Sequence, residues 1–188
     1  MADKPVYDFG SGCTNPETFP AKALAEAATR AIEDVGEDFT RYPGDLGHLG
    51  LREVLAARES QREGVQVCPE HIALTNGSMQ GVTLVAEALM TGDGPDIVVC
   101  EELTYSGTIG AYRRLGLRME GVALDDDGMR PDDLEQVLTR LHKAGTPPRF
   151  IYILSTYQNP TGSIMPRARR LQIIDIARRF AVPIVEDN

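Results

Sequence analysis

Basic charge is scarce in this 188-residue chain, and lysine is scarcer still. Its 19 Lys and Arg face 28 Asp and Glu, a formal charge of −9 at pH 7. That balance argues against nucleic acid and anionic membrane surfaces as partners, because both attract clustered basic side chains over long range. The only lysines are Lys4, Lys22 and Lys143, so chemistry that needs an amine has few candidates. Cysteine is also sparse: Cys13, Cys68 and Cys100 are odd in number and form no C-x-x-C pair. With no apolar signal-peptide core at the start, a reducing cytoplasm is the expected location. Long hydrophobic runs are missing: residues 82–90 are broken by Glu87 and residues 150–154 are short, against the roughly 20 apolar residues of a membrane helix.

Several chemistries lack their residues. His48, His71 and His142 have no paired ligand spacing, so no metal is expected. No G-x-G-x-x-G follows a strand-like run, which disfavours a dinucleotide-binding Rossmann domain. Gly44, Gly47 and Gly50 recur every third residue in a connector instead. Gly77-Ser-Met-Gln-Gly81 is not the G-x-S-x-G elbow of a hydrolase.

What is present is an ordinary folded composition, 42% hydrophobic and 25% charged, long enough for about one domain. A helix is expected over residues 20–35, with proline at its start and Gly36 beyond its end, and a second over 49–62 that stops at Gly64. The turn-rich connector 41–50 between them marks a candidate boundary. From residue 70 short apolar runs alternate with helical periodicity, the pattern of βαβ units and a parallel sheet. Strands are expected at 71–75, 97–100, 118–124, 150–154 and 183–186. A helix is expected after the turn at 76–78, and others over 105–115, 131–143 and 166–180. In the first of these helices, Val82, Val85, Ala86 and Leu89 form one apolar face.

In an open α/β sheet ligands gather beyond the carboxyl ends of the strands. Gly77 and Ser78 lie where a strand turns into a helix, so backbone N–H groups and a hydroxyl can converge on a phosphate; taken alone, a plain N-cap by Asn76 or Ser78 is the commoner explanation. Tyr105 can lie against a planar ring or simply pack. Asn159, in Asn-Pro-Thr-Gly, offers an amide on a rigid turn or only turn chemistry. Asp187 can hold a carboxylate against a cationic ring nitrogen, or be a solvated acid.

In combination these motifs carry a resemblance. They run in order as Tyr42, Gly47-His-Leu-Gly-Leu-Arg-Glu53, Leu74-Thr-Asn-Gly-Ser-Met-Gln80, Glu102-Leu-Thr-Tyr105, Gln158-Asn-Pro-Thr-Gly162 and Val185-Glu-Asp187. From about Asp8 onward the chain resembles the fold type I aminotransferases of class I and II, which use pyridoxal phosphate. The resemblance implies an α/β three-layer sandwich with a mostly parallel sheet, incomplete at its C-terminus. Residues 1–45 would be an N-terminal arm and small-domain segment, and residues 46–188 a truncated cofactor-binding large domain. It implies that the strands at 150–154, 183–186, 97–100 and 118–124 lie side by side in that order.

The resemblance also implies roles. Asp187 would pair with the protonated pyridine nitrogen, Asn159 would bond the ring's 3-oxygen, and Tyr105 would stack on the ring. Gly77, Ser78 and Met79 would cradle the phosphate, and Tyr42 would reach it from the neighbouring subunit of a homodimer. Met79 stands where the family often has a polar residue, Leu103 where proline is common, and Asn188 where Asp or Ala is frequent. The family's Schiff-base lysine lies tens of residues past the strand-end aspartate, and Lys4, Lys22 and Lys143 do not match it. The chain is therefore expected to be the N-terminal portion of an enzyme that exchanges an amino group between an amino acid and a 2-oxo acid, inactive in isolation. The alternatives are a pyridoxal-phosphate-binding effector module of a regulator and another enzyme on the same fold, such as a lyase, since a cofactor site does not choose the reaction.

Overall fold

Short apolar runs and the helices between them build the sheet that organises this molecule. The computed structural model describes residue 12 and residues 15–188; Lys4, Cys13 and most of the irregular N-terminal stretch lie outside the described residues. By its contacts the chain divides into two compact units, one ending at Ala73 and the other Leu74–Asn188.

The first unit holds helices α1 (Ala21–Val35) and α2 (Leu49–Glu63). The second of these starts on a His48 side chain that accepts from the Leu51 N–H at 3.2 Å, and it ends on Gly64 in the left-handed conformation. That is the residue type a helix C-terminus favours, because no Cβ opposes positive φ. Arg52 braces the unit by donating to the Gly47 carbonyl at 3.1 Å and the Pro69 carbonyl at 2.8 Å.

The second unit runs α3 (Ser78–Leu89), β1 (Ile97–Glu101), α4 (Ser106–Arg114), β2 (Arg118–Val122), β3 (Leu124–Asp125), β4 (Gly128–Met129), α5 (Pro131–Lys143), β5 (Phe150–Ile153), α6 (Arg167–Arg179) and β6 (Ile184–Glu186). Four strands form an all-parallel sheet in the order β2-β1-β5-β6, and β3 and β4 pair as a small antiparallel hairpin. Alternation along the strands assigns the faces. Ile97, Val99, Ile151 and Ile153 pack with Leu134, Leu138 and Leu141 of α5 and Ile173 and Ile176 of α6. Val98, Cys100, Phe150 and Tyr152 pack with Val82 and Ala86 of α3 and Tyr112 of α4. The result is the expected three-layer arrangement, with each fully buried Leu or Ile contributing about 1.5–3 kcal/mol.

Two expectations are corrected. The run 71–75 forms no strand: Pro69–His71 is a 3-10 turn, and Ile72 is extended (φ −118°, ψ 124°) without a ladder. Its residues suit a strand, but a strand exists only by pairing, and no strand among the described residues pairs with it. The order of strands also differs. β5 pairs directly with β1, Val98 opposite Phe150, and β6 lies outside it. A central strand must be covered on both faces, and β5 is buried at every residue, whereas Ile184 and Val185 of β6 are half-buried and Glu186 is exposed. Pro183, which has no N–H to donate, also suits an edge. Among the described residues no helix is long and apolar enough to cross a membrane.

Candidate functional site

Helix α3 carries the first group of candidate residues to the carboxyl edge of the sheet. Arg149, just before β5, donates to the Thr91 carbonyl just after α3 at 3.3 Å, so the end of α3 lies at the amino edge of the strands. Twelve residues span about 18 Å, which puts its first turn at the opposite edge. There Gly77 has φ 80°, and an added Cβ would meet nothing within 4 Å; the constraint is the backbone conformation itself. The Thr75 hydroxyl donates to the Gly77 carbonyl at 3.0 Å, and the Asn76 N–H donates to Gln80 Oε1 at 2.6 Å. The first-turn N–H groups of Ser78 and Met79 have no intrahelical acceptor and carry the positive end of the helix dipole. This is an anion-binding geometry.

Tyr105 caps the start of α4, directly after β1, and is half-buried. Its ring packs over Gly107, where an added Cβ would come within 2.5 Å of Cε1. A side chain at 107 would therefore displace the ring from this place. Asn159 sits after β5 in an exposed turn whose Asn159–Pro160 bond is cis. Asp187 follows β6, and its N–H extends the ladder to the Ile153 carbonyl at 3.0 Å. Gly77, Ser78, Met79, Tyr105, Asn159 and Asp187 thus share one edge of the sheet. Tyr42 belongs to the other unit and is fully exposed.

Sequence reading missed the groups that hold this edge together. Gln158 is buried, and its Nε2 donates to Glu101 Oε2 at 3.1 Å and to the Leu103 carbonyl at 2.6 Å. Its Oε1 accepts from the N–H and hydroxyl of Thr161 at 2.9 and 2.7 Å. One side chain thereby ties the loop carrying Asn159 to the loop carrying Tyr105, at the position where proline is common in the family. Glu101 also accepts from Thr104 Oγ1 and the Leu154 N–H, both at 3.3 Å. Burial pushes its carboxyl up to about 7, and the bonds from Gln158, Leu154 and Thr104 oppose that shift. The available signal was a glutamate ending an otherwise apolar strand.

Asp187 is held on the α3/α4 face. Tyr152 donates its hydroxyl to Asp187 Oδ2 at 2.7 Å, while Glu186, one residue earlier, turns to the other face and accepts from Arg170 at 2.8 Å and from Ser155. Strand alternation separates these adjacent acids. The signal for Tyr152 was a hydroxyl inside the apolar run Phe150-Ile-Tyr-Ile153.

Against known proteins, the profile described as "Aminotransferase class I and II" matches residues 4–188. The chain belongs to this family. It is 33% identical over 183 residues to the 2-aminoadipate transaminase of Thermus thermophilus, covering 97% of this chain and 43% of that protein. It is 31% identical, with the same coverages, to aromatic-amino-acid aminotransferase 1 of Thermococcus litoralis. Its fold is similar, with a TM-score of 0.81 and 33% identity, to the crystal structure of the Thermus thermophilus alpha-aminoadipate aminotransferase complexed with N-(5'-phosphopyridoxyl)-L-leucine. That match covers 96% of this chain and 43% of the other. This aminotransferase-family chain therefore spans less than half the length of the relatives it matches.

Proposed function

We propose that the chain forms the cofactor-binding part of a pyridoxal-phosphate-dependent aminotransferase that exchanges an amino group between an amino acid and a 2-oxo acid. The carrying observation is the common sheet edge that holds a free first helical turn, an aromatic ring and a carboxylate. These fit the cofactor's three recognisable parts. Ser78 and Met79 offer N–H donors to a phosphate over the turn that Gly77 shapes, its own N–H donating to the Thr75 carbonyl at 2.9 Å; Tyr105 offers a ring face to a planar heterocycle, and Asp187 Oδ1 accepts no hydrogen bond among the described residues.

When bound, the cofactor supplies an electron sink for the carbanion left at the amino acid's Cα. Within this reading Asp187 holds a proton at the ring nitrogen, Asn159 bonds the 3-oxygen, and Tyr105 keeps the ring plane in place. Tyr42 reaches the phosphate of the neighbouring subunit, so the working protein is a homodimer, placed in the cytoplasm. Residues 1–45 serve as arm and small-domain segment, and 46–188 as the cofactor-binding domain.

Lys143 ends α5 and, with the chain then leading into β5, lies at the amino edge of the sheet, away from Asp187. Lys22 is exposed on α1, near Glu26 at 3.9 Å. Neither is assigned to the site; the amine that anchors the cofactor is proposed to come from the remainder of the polypeptide.

Equilibrium dialysis of pyridoxal 5'-phosphate against the chain tests the site. Saturable uptake at one equivalent, weakened at least tenfold by both Asp187→Ala and Ser78→Ala, is expected. Uptake that neither substitution changes would overturn the assignment. Amino-group exchange with a 2-oxo acid, measured on the longest polypeptide that contains this chain, tests the reaction.

A further inference from the structure

Tyr152 lies on the face of β5 that carries α3 and α4 and has no solvent exposure. Its ring meets that of Tyr112 edge-on, centroids 5.5 Å apart at 86°. The hydroxyl reaches Asp187 Oδ2 at 2.7 Å, and Thr108 Oγ1, also fully buried, lies 3.0 Å from the same oxygen. An ionised carboxylate can only accept, and a tyrosine has one proton to give. The Tyr152 proton therefore points to Asp187, and the Thr108 hydroxyl must donate to Tyr152. The three groups form a chain with one direction, from α4 through β5 to the end of β6.

We infer that Tyr152, backed by Thr108, is a positioning residue that fixes the Asp187 carboxylate in one orientation, with Oδ2 occupied and Oδ1 left to meet a protonated ring nitrogen. The identity of that ring rests on the proposed function; the Thr108–Tyr152–Asp187 chain does not. A carboxylate just past a strand end has a free χ1, and a buried donor on the neighbouring strand removes that freedom before any ligand arrives. Burial pushes the Tyr152 hydroxyl well above its ordinary range, so it remains a donor at working pH. The other titratable groups facing it are Tyr112 of α4 and Cys100 of β1, both raised chiefly by burial and so neutral. Glu186 is turned to the opposite face by Arg170.

Tyr152→Phe removes the hydroxyl while keeping the ring that packs on Tyr112, and Thr108→Val removes only the second donor. In the cofactor-free chain, the Asp187 carboxyl 13C resonance is expected to move in Tyr152→Phe and to move less, in the same direction, in Thr108→Val. A resonance unchanged in both variants would overturn the inference. The second readout compares binding of pyridoxal 5'-phosphate with its 1-deaza analogue, in which carbon replaces the ring nitrogen. The unmodified chain should prefer the parent compound by about tenfold, the value of one charge-assisted hydrogen bond. Tyr152→Phe should reduce that preference to about threefold or less, whereas retention of the full preference would overturn the inference. If the unmodified chain binds neither compound, the proposed function fails, and the resonance shift still decides whether Tyr152 orients Asp187.

Discussion

The Nε2 of Gln158 lies 3.1 Å from Glu101 Oε2, so a side chain in the loop after β5 closes over the acid that ends β1. Both are buried, and their remaining side-chain oxygens are met by the Leu154 N–H on Glu101 Oε1 and by Thr161 on Gln158 Oε1. The pair sets the spacing between the two loops that carry Tyr105 and Asn159.

This buried acid makes stability depend on pH. The Glu101 carboxyl is raised from 4.5 to about 7, so between those values the native state binds a proton that the unfolded chain has released. Its stabilising contribution is complete below about pH 4.5 and is lost as pH rises through 7, a difference on the order of 3 kcal/mol. Urea titrations at pH 5 and pH 8 should show this loss in the unmodified chain and a much smaller one in Glu101→Gln. Equal losses in both would exclude Glu101 as the source.

Gly107→Ala separates stability from ligand binding. Alanine favours the helix by up to about 1 kcal/mol, but its Cβ would sit 2.5 Å from the present place of Tyr105 Cε1. The ring must therefore move. The melting temperature is expected to hold or rise while pyridoxal phosphate affinity falls by about tenfold, the size of one lost ring contact. Unchanged affinity would mean that the Tyr105 ring is not part of the site.

Cys100 should be inert. Burial first, and the neighbouring Glu101 charge second, push its thiol up to about 12, and the thiolate is the reactive form. A disulfide reagent at pH 8 should modify half-buried Cys68 well before Cys100, with Cys100 reacting only after addition of denaturant. Mapping modified peptides by mass against time checks the order.

Arg149 binds the loop before β1 through the carbonyls of Gly92 at 2.9 Å and Gly94 at 3.0 Å, and through Asp96 at 3.3 Å. The planar fork serves several acceptors that an ammonium cannot serve together. Arg149→Lys should cost about 1–2 kcal/mol, read as a lower denaturation midpoint with an unchanged slope. A midpoint equal to that of the unmodified chain would show the clip to be dispensable.

Much of this architecture was legible along the chain. Proline and glycine marked the ends of α2 and α5, apolar runs marked β1 and β5, and the motif residues at strand ends marked the edge at which the site is proposed. These are local signals: capping, periodicity and turn chemistry act over a few residues. The run 71–75 shows their limit, because its composition suits a strand, but a strand also needs a partner, and no described strand pairs with it.

Strand order and the side-chain network were beyond local reading. That β5 lies between β1 and β6 depends on which strand can be covered on both faces and paired on both edges, a property of the whole sheet. Glu186 and Asp187 are adjacent acids, yet one meets Arg170 and the other Tyr152, because the pleat sends them to opposite layers. The sequence alone determined which residue types were available at the carboxyl edge. Only the tertiary structure decided that Gln158 would bind Glu101 across 57 positions and Tyr152 would bind Asp187 across 35, since partners so distant in the chain are chosen by packing and by the requirement that buried polar atoms be satisfied.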